Sequence, residues 1–386
     1  MCFDTTSSNT GPNKGACALL EKHLKRELLP LSCRHHTSEI IISNVFKVCM
    51  NETSTSPDVN FFSNFEKTWE LIDKSKPLNS LTDDSVLANI SNQERLEIIN
   101  FIRKTLSLNK QPRRDYKEFL QLCGSFLGDE TIKIKFRKPG SLSRARWMNR
   151  VIYSLKMYHF RHHIQLTPQE LQGVTRICIF VVKFYIKLWF QTHSAPICPN
   201  LDLEFIKKVK KFENTDEEVA QAALKKISTH NYLTEQLICL AFFDENVSNK
   251  IKKLMAKRIL GKSSLRQKTA EDLVLNSSAD RLTLASFVTP ASLKFFTVMK
   301  VDPTFLSKSV GQWPNDHNYN ILKQQCENLQ IVNDVAERGV ALATKFASSI
   351  TKNKNNKQNL LISVAQHRKS VDSEKKNLLK YYQNKS

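Results

Sequence analysis

The chain has 386 residues, 41% of them hydrophobic and 25% charged, which is enough apolar material to bury a core and excludes a disordered, self-repelling polymer. Fifty-eight Lys and Arg against thirty-seven Asp and Glu leave a formal charge of +21, a balance that points to a polyanionic partner, most simply nucleic acid. The nine cysteines include no CxxC pair, so neither a zinc ribbon nor a disulfide framework is written here and zinc is not expected. No basic-then-apolar leader opens the chain; without a secretory signal, a nuclear or cytoplasmic location is expected.

In chain order, "MCF" reads as a short strand ending at Asp4, and the polar turn through Gly11 leads into the helix "KGACALLEKHLKREL". "LLPLSC" reads as a second short buried strand, with Pro30 at its edge, and "SEIIISNVFKVCM" as a second helix. A strand–helix–strand order implies parallel pairing. After a polar loop at 51–60, almost everything reads helical. "SNQERLEIINF" carries a capping box, with Ser followed three residues later by Glu, and "TPQEL" sets Pro at a helix start. "TIKIKF", 131–136, is the one strand candidate in the middle, and 261–281 reads as a linker or lid.

The apolar stretch 173–190 carries Arg176, Lys183 and Lys187 at helical spacing. Three cations on one stripe predict an amphipathic core helix with a basic face, not a membrane span. The expected fold is mostly α with a small α/β part: two short parallel strands, then a large helical insertion. The expected organisation is an α/β segment at 1–60, a helical domain at 61–317 with a basic segment at 131–163, a helix at 318–350 returning to the α/β part, and a basic helical tail at 351–386.

Four pieces could carry chemistry. Asp4 ends the first strand; Cys33 and His36 in "CRHH" follow the second. Trp147 lies in "SRARWMNR", and Glu337 in "NDVAERG". From Thr131 to His163 there are nine cations (Lys133, Lys135, Arg137, Lys138, Arg144, Arg146, Arg150, Lys156 and Arg161) and no acid. A cationic segment with an interleaved aromatic is the combination that grips phosphates and stacks on an unpaired base. "HFRHH" at 159–163 has metal-compatible spacing on a helix but no accompanying carboxylate or cysteine, and reads as part of the basic face.

This ordered set resembles the hAT superfamily of cut-and-paste transposases, whose RNase H-like catalytic domain is interrupted by a large helical insertion. The resemblance implies that Asp4 matches the second catalytic aspartate, with Ser8 and Asn9 in the turn after it. Cys33 and His36 match a Cys-x-x-His pair, Arg146 and Trp147 an Arg-Trp motif ahead of the insertion, and Glu337 the late catalytic glutamate. It implies DNA as substrate and Mg2+ as cofactor. The family's first catalytic aspartate has no counterpart, because this sequence begins at what would be the fourth strand. Two-metal phosphoryl transfer needs carboxylates that hold two ions about 3.5–4 Å apart. The expectation is therefore a DNA-binding protein, truncated at its N-terminus, in which Asp4 and Glu337 supply at most a weak Mg2+ site. A homo-oligomer is possible.

Each residue also has a plainer reading. Asp4 is a natural turn starter. Cys33 fits as a small buried residue, and Glu337 as a surface ion pair with Arg338. Trp147 is equally a core cap above Val151, Ile152 and Leu155. A helical protein-interaction module with no nucleic-acid role is the alternative function.

Overall fold

The structure is a computed structural model that describes residues 2–51, 60–108, 111, 114–139, 148–192, 194–261 and 269–333, with scattered positions between 349 and 363. The chain divides into two compact units, 1–333 and 334–386. Trp147, Arg144, Arg146 and Glu337 lie outside the described residues. So does most of the expected 318–350 helix beyond its first turns, and 262–268 of the expected linker.

The first unit opens with β1 (Cys2–Phe3), a single helical turn at Ser7–Thr10, and α1 (Ala16–Leu24). β2 (Leu31–Ser32) runs parallel to β1, with Cys2 opposite Leu31 and Phe3 opposite Ser32. These are the only strands among the described residues, so the fold is mostly α with a small α/β part. The ladder continues one step beyond the strands, where the Cys33 amide donates to the Phe3 carbonyl. Leu31 is fully buried because helical elements close over the pair; the Tyr232 hydroxyl donates to the Ser32 carbonyl at 2.6 Å.

α2 (Arg34–Met50) follows directly and is the hub of the unit. Ile41, Ile42, Val45, Phe46 and Cys49 recur at helical spacing and are buried. Each such aliphatic or aromatic side chain contributes about 1.5–3 kcal/mol on burial. α3 (Asn60–Thr68), α6 (Arg114–Phe126) and α7 (Met148–His159) touch α2, while α4 (Asp84–Asn89) packs on α8 (Pro168–Phe180) and α5 (Asn92–Ser107) on α6. α8 continues through a π turn at Val181–Tyr185 into a last helical stretch, Ile186–Phe190. α9 (Cys198–Phe212) and α10 (Glu217–Ile227) complete the hub; α10 and α8 lie directly on α2.

The helix starts follow local chemistry. Ser91 and Glu94 close the expected capping box on α5, and Thr167, Pro168 and Glu170 do the same on α8. α6 ends ahead of Gly128, whose φ of +76° belongs to the left-handed region. Beyond α10 the chain turns to short 3-10 elements around α11 (Asn249–Leu260), and α12 (His317–Glu327) is the last long helix of this unit. After α12 an extended stretch returns to the α/β part: the Arg34 amide donates to the Ile331 carbonyl, and the Asn333 amide to the Cys33 sulfur.

The expected strand at 131–136 has no strand partner; the segment is extended and lies on α6 and α7 instead. In 174–190 the reading of a basic face holds. Only Arg176, Lys183, Lys187 and Phe190 escape full burial there. No helix among the described residues is long and apolar enough to cross a membrane.

α8 and α2 approach closely at Gly173, where an added Cβ would stand 2.4 Å from the Cys49 carbonyl oxygen and 2.8 Å from the Met50 sulfur. Helix propensity alone favours Gly173→Ala by up to about 1 kcal/mol. Overpacking against the Cys49 carbonyl and the Met50 sulfur opposes it by about 1–3 kcal/mol. The expected outcome is a lowered midpoint of urea unfolding. A midpoint equal to or above that of the parent protein would show that the two helices part without cost.

Candidate functional site

Asp4 stands just beyond β1, and its Oδ1 takes every hydrogen bond the carboxylate makes. It accepts from the Thr6 amide (3.2 Å), the Thr6 hydroxyl (2.6 Å) and the Asn9 amide nitrogen (2.7 Å). Burial by itself would raise its pKa. The Thr6 and Asn9 bonds and the charge of His36 outweigh that and hold the carboxyl below its ordinary range. The turn-starting role of Asp4 is thus realised, and Oδ2 is left without a partner among the described residues.

Cys33 caps α2 and is almost wholly buried. Its thiol is pulled down to about 6, first by a hydrogen bond with Cys2, against the opposing effect of burial, and then by the Asn333, His36 and His35 amides. Two of these N–H groups belong to the first turn of α2 and the third to the stretch after α12, and N–H groups at a helix start are the arrangement that stabilises a thiolate. His36, one turn into α2, meets Glu39 at 3.4 Å. Burial would lower its pKa, but Glu39, Asp4 and Cys33 together raise it. Asp4, Cys33 and His36 therefore form one electrostatically linked cluster, in which each group's charge bears on the next.

No group of three or more His, Cys, Asp or Glu side chains that could hold a metal occurs among the described residues. Magnesium is usually held by one or two carboxylates plus water and phosphate oxygens. Within the cluster only the free Oδ2 of Asp4 fits that chemistry.

The basic segment divides sharply. In 131–138 the backbone is pinned from below. Gln121 donates to the Lys133 carbonyl (2.8 Å), Lys156 to the Arg137 carbonyl (2.8 Å), and the Arg137 amide to Glu118 (3.4 Å). Ile132, Ile134 and Phe136 turn into the core, Phe136 lying against His159 and Phe160. Lys133, Lys135 and Arg137 alternate with them and are exposed, with no ion-pair partner among the described residues. The three cations therefore recur at every second residue along one edge. Lys138 is also exposed but is spent on Glu70 at 2.5 Å.

Other members of the segment are structural. Lys156 is buried and bonded to Glu118 at 2.7 Å. Arg150 is half-buried, its guanidinium 5.7 Å from the centre of the Phe46 ring. His159 does not belong to the basic face: it is fully buried, with Nδ1 2.7 Å from the Leu78 carbonyl and Nε2 3.3 Å from that of Leu122. Helical spacing could not separate these roles, because the residues that bury Lys156 and His159 come from α6 and from the loop before α4.

Sequence reasoning overlooked a second cationic feature. α5, the π turn of α8 and α9 enclose a cleft of about 250 Å3 whose walls include Lys183, Lys187, Lys208 and Lys211. The available signal was "KKVKKF" at 207–212, which sets Lys208 and Lys211 on one helical face.

No protein-family model, curated protein or solved structure matches this chain.

Proposed function

We propose that this chain is a nucleic-acid-binding protein of transposase descent, gripping a DNA strand through the exposed edge of the 131–138 segment. The observation that carries the binding role is the row Lys133, Lys135, Arg137: three unpaired cations at an even spacing on a backbone fixed to α6 and α7. A preset row meets successive phosphates without first ordering a loop, so less entropy opposes binding. The net charge of +21 adds a long-range attraction.

Support for descent from a hAT-like transposase is the strand-end cluster. Asp4 follows β1, the parallel β2 lies beside it, and Cys33 and His36 begin the next helix, with His36 electrostatically tied to Asp4. The proposal is one of binding, not cleavage: the cluster offers a single carboxylate, and a two-metal clamp needs more.

The test is fluorescence anisotropy of a labelled single-stranded oligonucleotide at several salt concentrations. The parent protein is expected to show a steep negative dependence of log K on log[salt]. Lys133→Gln, Lys135→Gln and Arg137→Gln together are expected to reduce the slope by about 2 and weaken binding more than about 10-fold at low salt. Absence of binding at low salt would overturn the proposal in favour of a protein-interaction module.

A further inference from the structure

We infer that the lysine-walled cleft between α5, the π turn of α8 and α9 is a binding site for the phosphate of a nucleotide. Its cations come from two elements. Lys183 and Lys187 lie one turn apart on α8, and Lys208 and Lys211 face them from α9. Lys183 is committed, bonding Glu94 (3.0 Å) and the Asn89 carbonyl (2.6 Å), and Lys211 reaches Asp280 only at 4.0 Å between two exposed side chains. Lys187 and Lys208 have no hydrogen-bond or ion-pair partner among the described residues. Lys187 is half-buried, and its pKa is lowered by that burial and by the charge of Lys208, against the weaker pull of Glu97, Glu204 and Glu94. Both side chains line the cleft, and neither is bonded to an anion among the described residues. A phosphate placed there supplies the missing charge.

The remainder of the cleft specifies more than a bare anion. A volume of about 250 Å3 exceeds what one phosphate needs. One wall is apolar, formed by Ile98, Phe184 and Phe212, the two rings meeting edge to face at 5.2 Å. Glu97 on the rim accepts one bond from Gln93 at Oε1, which leaves Oε2 for a donor such as a sugar hydroxyl. A cationic pole, an apolar wall and a carboxylate oxygen with no bond among the described residues together suit a nucleotide. The local backbone is also unusual: Lys183 and Phe184 sit in the π turn, a device that inserts an extra residue in a helix and recurs at functional sites.

This site does not depend on the 131–138 segment. The nucleotide can be free or part of a strand, and calorimetry separates the two sources. Adenosine monophosphate, inorganic phosphate and a single-stranded oligothymidine are each titrated into the full-length protein. Three variants are compared with the parent: Lys187→Met with Lys208→Met; the control Lys253→Met with Lys257→Met, exposed on α11; and the triple 133/135/137 variant.

A free-nucleotide site predicts that adenosine monophosphate binds more tightly than phosphate. Its affinity should fall about 10-fold or more in the cleft variant and less than about 2-fold in the control. The triple variant should bind it as the parent does, even if the 131–138 proposal fails. If the oligonucleotide alone shows that pattern, the site takes a phosphate of a strand. The inference is overturned if no ligand distinguishes the cleft variant from the control. Should the double variant unfold, Lys208→Glu, at an exposed position, must give the same loss.

Discussion

Asp202→Ala is expected to destabilise the protein by about 3–5 kcal/mol, because it removes one half of a buried ion pair and strands the other. Arg34 and Asp202 are 1% and 0% exposed, so solvent cannot take over either charge. Their contact is two-pronged, Nη1 to Oδ2 at 2.8 Å and Nη2 to Oδ1 at 2.6 Å. Asp202 also accepts the Tyr232 amide at 2.7 Å, and the Tyr232 ring lies 5.0 Å from the guanidinium carbon. Burial would lower the pKa of Arg34, but Asp202 outweighs it and holds the proton more firmly. A guanidinium is not deprotonated at working pH, so Arg34 stays charged in the variant, with no anion bonded to it. Replacing both partners, Arg34→Met with Asp202→Leu, is expected to recover the part of the loss due to the stranded charge, while the buried Tyr232 amide stays without its acceptor. Urea unfolding measures both variants. A cost under about 1 kcal/mol for Asp202→Ala would mean that water reaches the guanidinium, contrary to the packing.

The second large effect is a dependence on pH traced to His159. Full burial pushes its imidazole down to about 4, against the opposing pull of the Leu78 and Leu122 carbonyls. In the unfolded chain the group titrates near 6.5. Above that pH neither state is protonated and the contribution is whole. As the pH falls from 6.5 towards 4, the unfolded state takes up the proton first and stability drains away. Two and a half pH units at 1.36 kcal/mol each come to about 3 kcal/mol. His36 works in the opposite sense, its raised pKa favouring the folded state at low pH, so the measurement is a difference. Between pH 7.5 and 4 the parent protein is expected to lose about 3 kcal/mol more than His159→Gln, read from urea midpoints across the range. Parallel curves for the two proteins would show that the ring takes up its proton as readily in the fold as in the unfolded chain.

Where a few neighbouring residues decide the outcome, the sequence was a sufficient guide. Ser91 with Glu94 and Thr167 with Pro168 and Glu170 announced their helices, because caps are closed by residues three apart. β1 and β2 were visible as short apolar runs around one helix. The stripe Arg176, Lys183, Lys187 was visible because its period is that of the helix itself. The alternation in 131–136 was real and still misled: it described an apolar face lying on α6 and α7, which helical and strand partners can both provide. The cluster of Asp4, Cys33 and His36 was legible from strand ends. The fates of Lys156, His159 and Arg34 were not, since Glu118, Leu122 and Asp202 are 37 or more positions away. Chain spacing carries no record of such encounters, and the cleft between α8 and α9 was hidden for the same reason.

The pair of Arg34 and Asp202 spans 168 positions of sequence. Closing a loop of that length carries an entropic cost that grows only logarithmically, but it is met before the contact returns anything. Until Asp202 arrives, Arg34 cannot leave water, and α2 cannot seat its first turn. α2, the hub of the unit, is thus tied at its first turn to a residue 168 positions further on, so the helices that pack on it and the start of the chain depend on one another for their seating.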